Sequence, residues 1–567
     1  MESTLSHTEA ASALPHSPYS PPKRDLRLIA AFVCLCLVNF ICALDATILS
    51  VALPIIAKDL GGSAIESFWS GTSFLLTATA FQPSWASFSH IFGRKPVLLV
   101  ALLLFTLGNI LCALSYDFTR MLLGRSIQGV GAGGLIALTY VIITDLVSLR
   151  ERGKWIGLIG LTWALGSVTG PVIGGVFSER LHWEQRWIFW FNLPLCGLAF
   201  VAIPILLRLN FRPTGLRRKL KRYDWLGSVL FVSSLTSVLV PLTWGGVSYS
   251  WSHWRTLVPL VVGVAGLVAF VGYSAFHPQP LIRINIYQSR TVLVTYLGTT
   301  IHGTILYALL YYLPLYYQGA LGFSPINSGL ALLPQTLTIG PASSIVGLLT
   351  ARTGRYRWAL WLGWPLTGAG LGLLTLLTPT SSTRSWILLN IISGLGLGIT
   401  LPAMASACQA AVSPIDVPHT AAMFSFHRAL GQTLGVAIAG VVFQNTVRHY
   451  LSTYPALAPV ATSYAKDASA LVEVIKNLPP AEAARRADIV TAYVDALRVV
   501  WCAMAGLAGV AALASWWTEG FVLHAFLDEG AEHGLRRGRA RDDEQVHAAG
   551  LATGTSSLET LVPVRRG

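Results

Sequence analysis

Apolar runs of about 18 residues or more recur along the chain from Leu28 almost to Trp517, each closed by a short polar stretch. A helix of that length matches the hydrocarbon thickness of a bilayer, so the alternation predicts spanning helices rather than soluble domains. They are expected near residues 28–50, 69–89, 97–115, 121–145, 155–178, 187–207, 225–243, 256–276, 291–318, 326–350, 357–378, 384–408, 424–446 and 491–517, fourteen in all. The fold class this implies is an all-α polytopic membrane protein embedded in the lipid bilayer. Residues 1–22 are rich in Ser and Pro, and the first run, after Lys23, Arg24 and Arg27, is long enough to span and stay; a cleaved signal peptide is not expected.

Composition agrees: 53% of the 567 residues are hydrophobic and 12% charged, against roughly a quarter charged in a soluble domain. The net charge of +14 does not point to nucleic acid, because the cations lie in short segments between apolar runs and form no single basic face. They read as topology signals. Arg94 and Lys95 follow the second run, Arg150, Arg152 and Lys154 the fourth, seven cations between Arg208 and Arg222 the sixth, and Arg352, Arg355 and Arg357 the tenth. The positive-inside rule then places both termini in the cytoplasm and the long loop 447–490 on the opposite side. The polar, basic tail from Asp528 is expected to be disordered.

The seven cysteines fall inside apolar runs without CxxC spacing, so they are expected to be buried thiols. No metal site and no cofactor are expected. GxxxxGK[ST], HExxH and GxSxG are absent, which argues against an ATP-driven pump and against an enzyme.

An internal repeat sets the domain plan. ASFSHIFGRKP (Ala86 to Pro96) and GLLTARTGRYR (Gly347 to Arg357) share a Gly-Arg at an offset of 261 residues, each after an even-numbered helix. Two six-helix bundles, 27–208 and 291–518, would be joined by two linker helices within 209–290 and flanked by tails 1–26 and 519–567. Parallel repeats of this kind place a substrate site between the halves near the bilayer midplane.

Few polar residues interrupt the runs, and each needs a reason. A carboxylate at Asp45, in mid-span, must either be protonated or find a partner, which makes it a candidate proton carrier. Arg125 and Gln128 share a face of the fourth helix, where a cation needs an acid, a carbonyl or water. Gly166, Gly170 and Gly174 recur every four residues, with Pro171 and Gly175 beside them, so one strip of the fifth helix has no side chains and a neighbour can approach closely. His302 could titrate or hydrogen-bond across helices, and with Gln128, Trp163, Tyr307 and Tyr311 it is a candidate for the lining of a substrate cavity. His427 and Arg428 read as an interfacial anchor, and Asp495 with Arg498 as a local ion pair.

Six segments now carry a resemblance. LDATILSVALP (Leu44 to Pro54), the FGRKP loop (Phe92 to Pro96), RSIQGVGAGG (Arg125 to Gly134), GSVTGPVIGG (Gly166 to Gly175), YYLPLYYQGALGFSPINSGLALLP (Tyr311 to Pro334) and RALGQTLGVAIAGVVFQN (Arg428 to Asn445) resemble the major facilitator superfamily, in particular the fungal fourteen-helix drug:proton antiporters. The resemblance implies proton coupling through Arg125 with Asp45, and an antiporter motif on the fifth helix whose tight contact rearranges between inward- and outward-open states. It also implies a cytoplasmic gate loop at His90, Gly93, Arg94 and Lys95. The loop departs from the family pattern: Ala86 stands where glycine is usual, His90 where aspartate is usual, and the second copy has Ala351 at the equivalent place. The expectation is a gate without its acid, closed by packing or by a pH-dependent His90.

The expected function is proton-coupled efflux of small amphipathic or hydrophobic compounds, such as a secondary-metabolite toxin or an antifungal drug, by a monomer. The plasma membrane is the expected site, with a vacuolar or vesicle membrane as the alternative. The rival is a permease for basic amino acids or siderophores; Asp45 as the single acid well inside a span favours neutral or weakly charged cargo.

Overall fold

A computed structural model describes residues 26–60, 64–180, 186–209, 216–246, 249–466 and 471–523. The expected tails therefore lie almost wholly outside the described residues. Within them the chain is helical, with one isolated bridge between Gly245 and Tyr249 and no strand.

The first half holds α1 (Leu26–Asp59), α2 (Ala64–Phe92), α3 (Arg94–Ala113), α4 (Phe118–Leu146), α5 (Leu149–Arg180) and α6 (Trp187–Leu206). A short basic helix, α7 (Leu216–Arg222), leads to the inserted pair α8 (Trp225–Trp244) and α9 (Trp254–Phe276). The second half holds α10 (Arg290–Gly319), α11 (Pro325–Ala331), α12 (Leu333–Thr353), α13 (Arg357–Leu374), α14 (Thr383–Ala410), α15 (Val417–Thr453) and α18 (Ala483–Ser515), with the short α16 (Ala461–Lys466) and α17 (Leu471–Asn477) between the last two.

Helices cover all fourteen expected positions, but twelve among the described residues are long and apolar enough to cross a membrane, the continuous α11–α12 segment counting as one. The remaining two positions belong to α2, diluted by Ser, Thr and Gln, and to the Trp- and Gly-rich α13. Within each half these two pack as closely as their neighbours, α2 on α4 and α13 on α14.

The loop expected over 447–490 is shorter than its sequence suggests, because α15 runs on to Thr453 and α18 begins at Ala483. Between them Leu457, Leu471, Val472 and Ile475 are buried against the bundle. The cysteines are all free; five are buried, Cys36 is half-buried and Cys502 is exposed, so the expectation of seven buried thiols fails at Cys502.

The halves meet chiefly along α5 and α12, and again where α2 and α4 face α15. Glycine permits the first contact: a Cβ at Gly347 would lie 2.2 Å from the Gly153 carbonyl oxygen. At the opposite boundary the hydroxyls of Thr79 and Thr433 are 3.1 Å apart, and Ser425 donates to Gln82 at 2.8 Å. The inserted pair seats beside that boundary, with Ser84 and Ser228 joined at 2.7 Å and the Phe231 and Phe426 rings 5.6 Å apart. Outward positions of α9, such as Val261, Val264 and Val268, remain exposed, as a lipid-facing surface would be.

Candidate functional site

Asp45 is fully buried on α1, and two other helices supply its three partners. Arg125 on α4 donates from Nη1 to Oδ2 at 2.8 Å; Gln128, one turn on, donates to Oδ1 at 2.7 Å; Asn192 on α6 donates to Oδ1 at 2.8 Å. The guanidinium is held in turn by the Ser70 carbonyl of α2 at 3.1 Å and lies over the Phe74 ring, 4.3 Å from its centre. Asn192 also reaches Asn109 Oδ1 on α3 at 3.2 Å. Both carboxylate oxygens thus accept hydrogen bonds, Oδ1 from two amides and Oδ2 from the guanidinium. Gln128 thus belongs to this cluster and not to a cavity lining. Asn109 and Asn192 are not among the residues singled out from the sequence above, although each is a lone amide in an apolar run (FTLGNILCA and WFNLPLC), and that is the available signal.

The basic loop has no acid of its own at His90, but Arg94 finds one on another helix. Gly93 adopts φ 97°, a backbone region that disfavours a side chain, and Gly354 in the second copy of the repeat adopts φ 68°. The turn at Gly93 directs Arg94 back into the bundle, where Nε meets Asp145 Oδ2 of α4 at 2.9 Å and Nη1 meets Ser89 Oγ at 2.7 Å. The acid comes from another helix, 51 residues away. Asp45 is therefore not the single buried carboxylate among the helices. Lys95 donates to the Pro204 carbonyl at 2.8 Å. His90 stacks on His419 of α15, with ring centres 4.1 Å apart. Nearby, Arg150 bridges the halves by donating to the carbonyls of Ala351 and Arg352, each at 2.9 Å.

On α5 the glycine strip faces α1. A Cβ at Gly166 would meet Ala43, one at Gly170 would lie 2.3 Å from Thr47 Oγ1, and one at Gly174 would lie 2.3 Å from the Ile48 carbonyl oxygen. Pro171 turns toward the second half, where Gly329 of α11 packs on it, and Gly175 follows in the same helix.

Between the halves lies a cavity of about 20 Å³, room for roughly one water. Trp163 and Ser167 of α5, His302 of α10, Thr336 of α12 and Arg428 of α15 line it with apolar side chains between them. Tyr307 and Tyr311 are stacked with centres 6.1 Å apart and do not reach this lining. The interfacial-anchor reading of His427 and Arg428 is wrong: α15 begins at Val417, so both lie in its interior. His427 stacks on Tyr296 at 4.5 Å, and Arg428 is 5% exposed. Asp495 and Arg498 do form the local pair, at 2.7 Å.

Comparison with known proteins adds an independent line. Residues 35–439 match the Major Facilitator Superfamily. The chain is 49% identical over 521 residues to the MFS transporter L2 of Phoma sp., covering 92% of this chain and 86% of that one. It is 36% identical over 489 residues to the efflux pump FUS6 of Gibberella fujikuroi, covering 85% and 87%. It is 34% identical over 532 residues to the acurin A biosynthesis cluster MFS-type transporter of Aspergillus aculeatus, covering 92% and 94%. Among solved structures, a bacterial homologue of the human lysosomal transporter Spinster, inward-facing and unoccupied, superposes with a TM-score of 0.54 at 16% identity over 88% of this chain and 98% of that one. The human organic anion transporter MFSD10 superposes with a TM-score of 0.52 at 16% identity over 88% and 100%. At that identity the likeness is one of fold.

Proposed function

From the premise that the chain belongs to the major facilitator superfamily and is a multi-pass transporter rather than an enzyme, we propose that it exports a small amphipathic molecule in exchange for protons. Relatives named as an efflux pump and as a transporter of a biosynthesis cluster support the outward direction and a secondary metabolite as cargo. In this reading the chain spans the plasma membrane fourteen times, α2 and α13 included, with both termini in the cytoplasm and the Arg94 loop at the cytoplasmic gate.

The observation that carries the proton coupling is the Asp45–Arg125 pair, buried and 2.8 Å apart. Protonation of Asp45 removes the charge that Arg125 faces. The guanidinium then relaxes toward Ser70 and Gln128, and α1 and α4 lose their electrostatic tie. Because α5 packs on α1 through its glycine strip, a shift of α1 is passed to α5 and so to the boundary with α12. The proton site thereby biases which side of the boundary opens. A permease for cationic cargo fits less well, since the cavity lining contains Arg428 and no acidic residue.

Proteoliposomes with an imposed pH gradient test the proposal, the cargo having first been identified as the metabolite retained by cells lacking the gene. Asp45→Asn should abolish gradient-driven accumulation while leaving substrate–substrate exchange measurable. Full gradient-driven transport in that variant would overturn the proposal.

A further inference from the structure

We propose that the central cavity takes the anionic end of an amphipathic carboxylate, with Arg428 as the residue that recognises it. This rests on the transporter reading above and narrows its substrate class.

Arg428 is a cation buried at the boundary between the halves, and among the described residues no carboxylate pairs with it. Its Nη1 donates to Tyr140 Oη of α4 at 3.1 Å, its guanidinium lies 5.2 Å from the centre of the Trp163 ring, and its Nε has no partner. A buried guanidinium held only by a neutral phenol and a ring face is costly unless something else completes its shell. Contrast Arg125, whose charge is matched by Asp45, and Arg94, matched by Asp145.

The surrounding atoms share the bias. Trp163 Nε1 and Ser167 Oγ line the same cavity and are buried without partners. His302 Nδ1 is also unpartnered, and with Nε2 donating to the Leu397 carbonyl it is an acceptor; even so, the N–H and O–H donors of Arg428, Trp163 and Ser167 outnumber it, and the lining has no acidic side chain. A carboxylate supplies what is missing: two acceptor oxygens in the planar geometry that a guanidinium fork matches. Most of the rest of the lining, including Leu306, Leu310, Ile339 and Leu401, is apolar and suits a hydrophobic body attached to that acid.

The donors come from both halves, Trp163 and Ser167 from α5 and Arg428 from α15. An anion held between them ties the halves together. At about 20 Å³ the cavity is too small for any such ligand as it stands, so the acid enters when the halves part and favours their closing around it.

The test uses the purified full-length chain in nanodiscs, titrated with 1-pyrenebutyrate and with its methyl ester, which carry the same apolar body with and without the charge. The acid should bind about tenfold or more tightly than the ester, and Arg428→Gln should bring the two within about twofold. Arg428→Lys, which keeps the charge, should retain a preference for the acid; Trp163→Phe, which keeps the ring and removes Nε1, should weaken the acid alone. If Arg428→Gln fails to fold, the wild-type ratio and Trp163→Phe decide. Equal binding of acid and ester by the wild type, or a preference that survives Arg428→Gln, overturns the inference. Acid preference without gradient-driven transport would count against proton antiport and leave this inference standing. Gradient-driven export without acid preference would do the reverse.

Discussion

Arg94 and Asp145 form an ion pair at 2.9 Å, with side chains 2% and 7% exposed, at the end of the bundle that carries the basic loops. The pair joins the first turn of α3 to the last turn of α4, so the position left vacant by His90 does not leave Arg94 uncompensated. Removing one partner should be much worse than removing both. Asp145→Ala is expected to cost about 3–5 kcal/mol, because it strands a buried cation, whereas the double variant Arg94→Met with Asp145→Leu should recover most of that loss. Thermal unfolding of the three proteins in nanodiscs decides; equal destabilisation by the single and double variants would count against the pair as the source.

His90 and His419 stack across the α2–α15 boundary, and Arg94, Arg283 and Asp416 are the charges around His419. A cation fixed at that ring would stand against Arg94 and Arg283, with Asp416 already engaged by Arg283 at 2.7 Å. In a background without native cysteines, a Ser406→Cys reporter, buried near Gly153, should therefore label faster in His419→Lys than in the wild type. His419→Phe keeps an uncharged ring in the stack and should label at the wild-type rate; equal labelling of the Lys and Phe variants would rule the charge out as the cause.

Asn192 is expected to act through Asp45. Asn192→Ala removes one donor from the carboxylate, at about 1–3 kcal/mol, and in an Asp45→Asn background the same change should cost less. A double-mutant cycle on unfolding free energies measures the difference. Additive costs would show that Asn192 serves Asn109 or packing instead.

Two glycines give opposite expectations for alanine. At Gly174 the new Cβ would lie 2.3 Å from the Ile48 carbonyl oxygen, which belongs to backbone and cannot turn aside, so Gly174→Ala should destabilise by about 1–3 kcal/mol. At Gly197 nothing lies within 4 Å, so Gly197→Ala should be neutral or stabilise by about 0.5–1 kcal/mol through helix propensity. Melting temperatures of the two variants check both; a tolerated Gly174→Ala would mean that α1 and α5 separate more easily than their contact suggests.

Asp45, Arg125 and the glycines of α5 stand out in the sequence because a bilayer makes each polar interruption costly and each gap in a helix face conspicuous. Their partners do not. Asp45 meets Arg125 from 80 residues away and Asn192 from 147, and hydropathy along a chain carries no information about which helix faces which. The burial of Arg428 is hidden in the sequence for a related reason. It stands just before the strongly apolar part of its run, where cations commonly anchor a helix at the interface, but the preceding segment from Val417 is helical too.

Long apolar runs, punctuated by basic loops, determined by themselves that this chain is a helical membrane protein. They could do so because burial in lipid and local turn geometry are properties of contiguous residues. Which charges cancel was decided by tertiary packing alone: Asp45 with Arg125, Asp145 with Arg94, and Arg428 with no acid among the described residues. Charge pairing inside a bundle is a matter of distances of about 3 Å between helices remote in sequence, and only the assembled fold sets those.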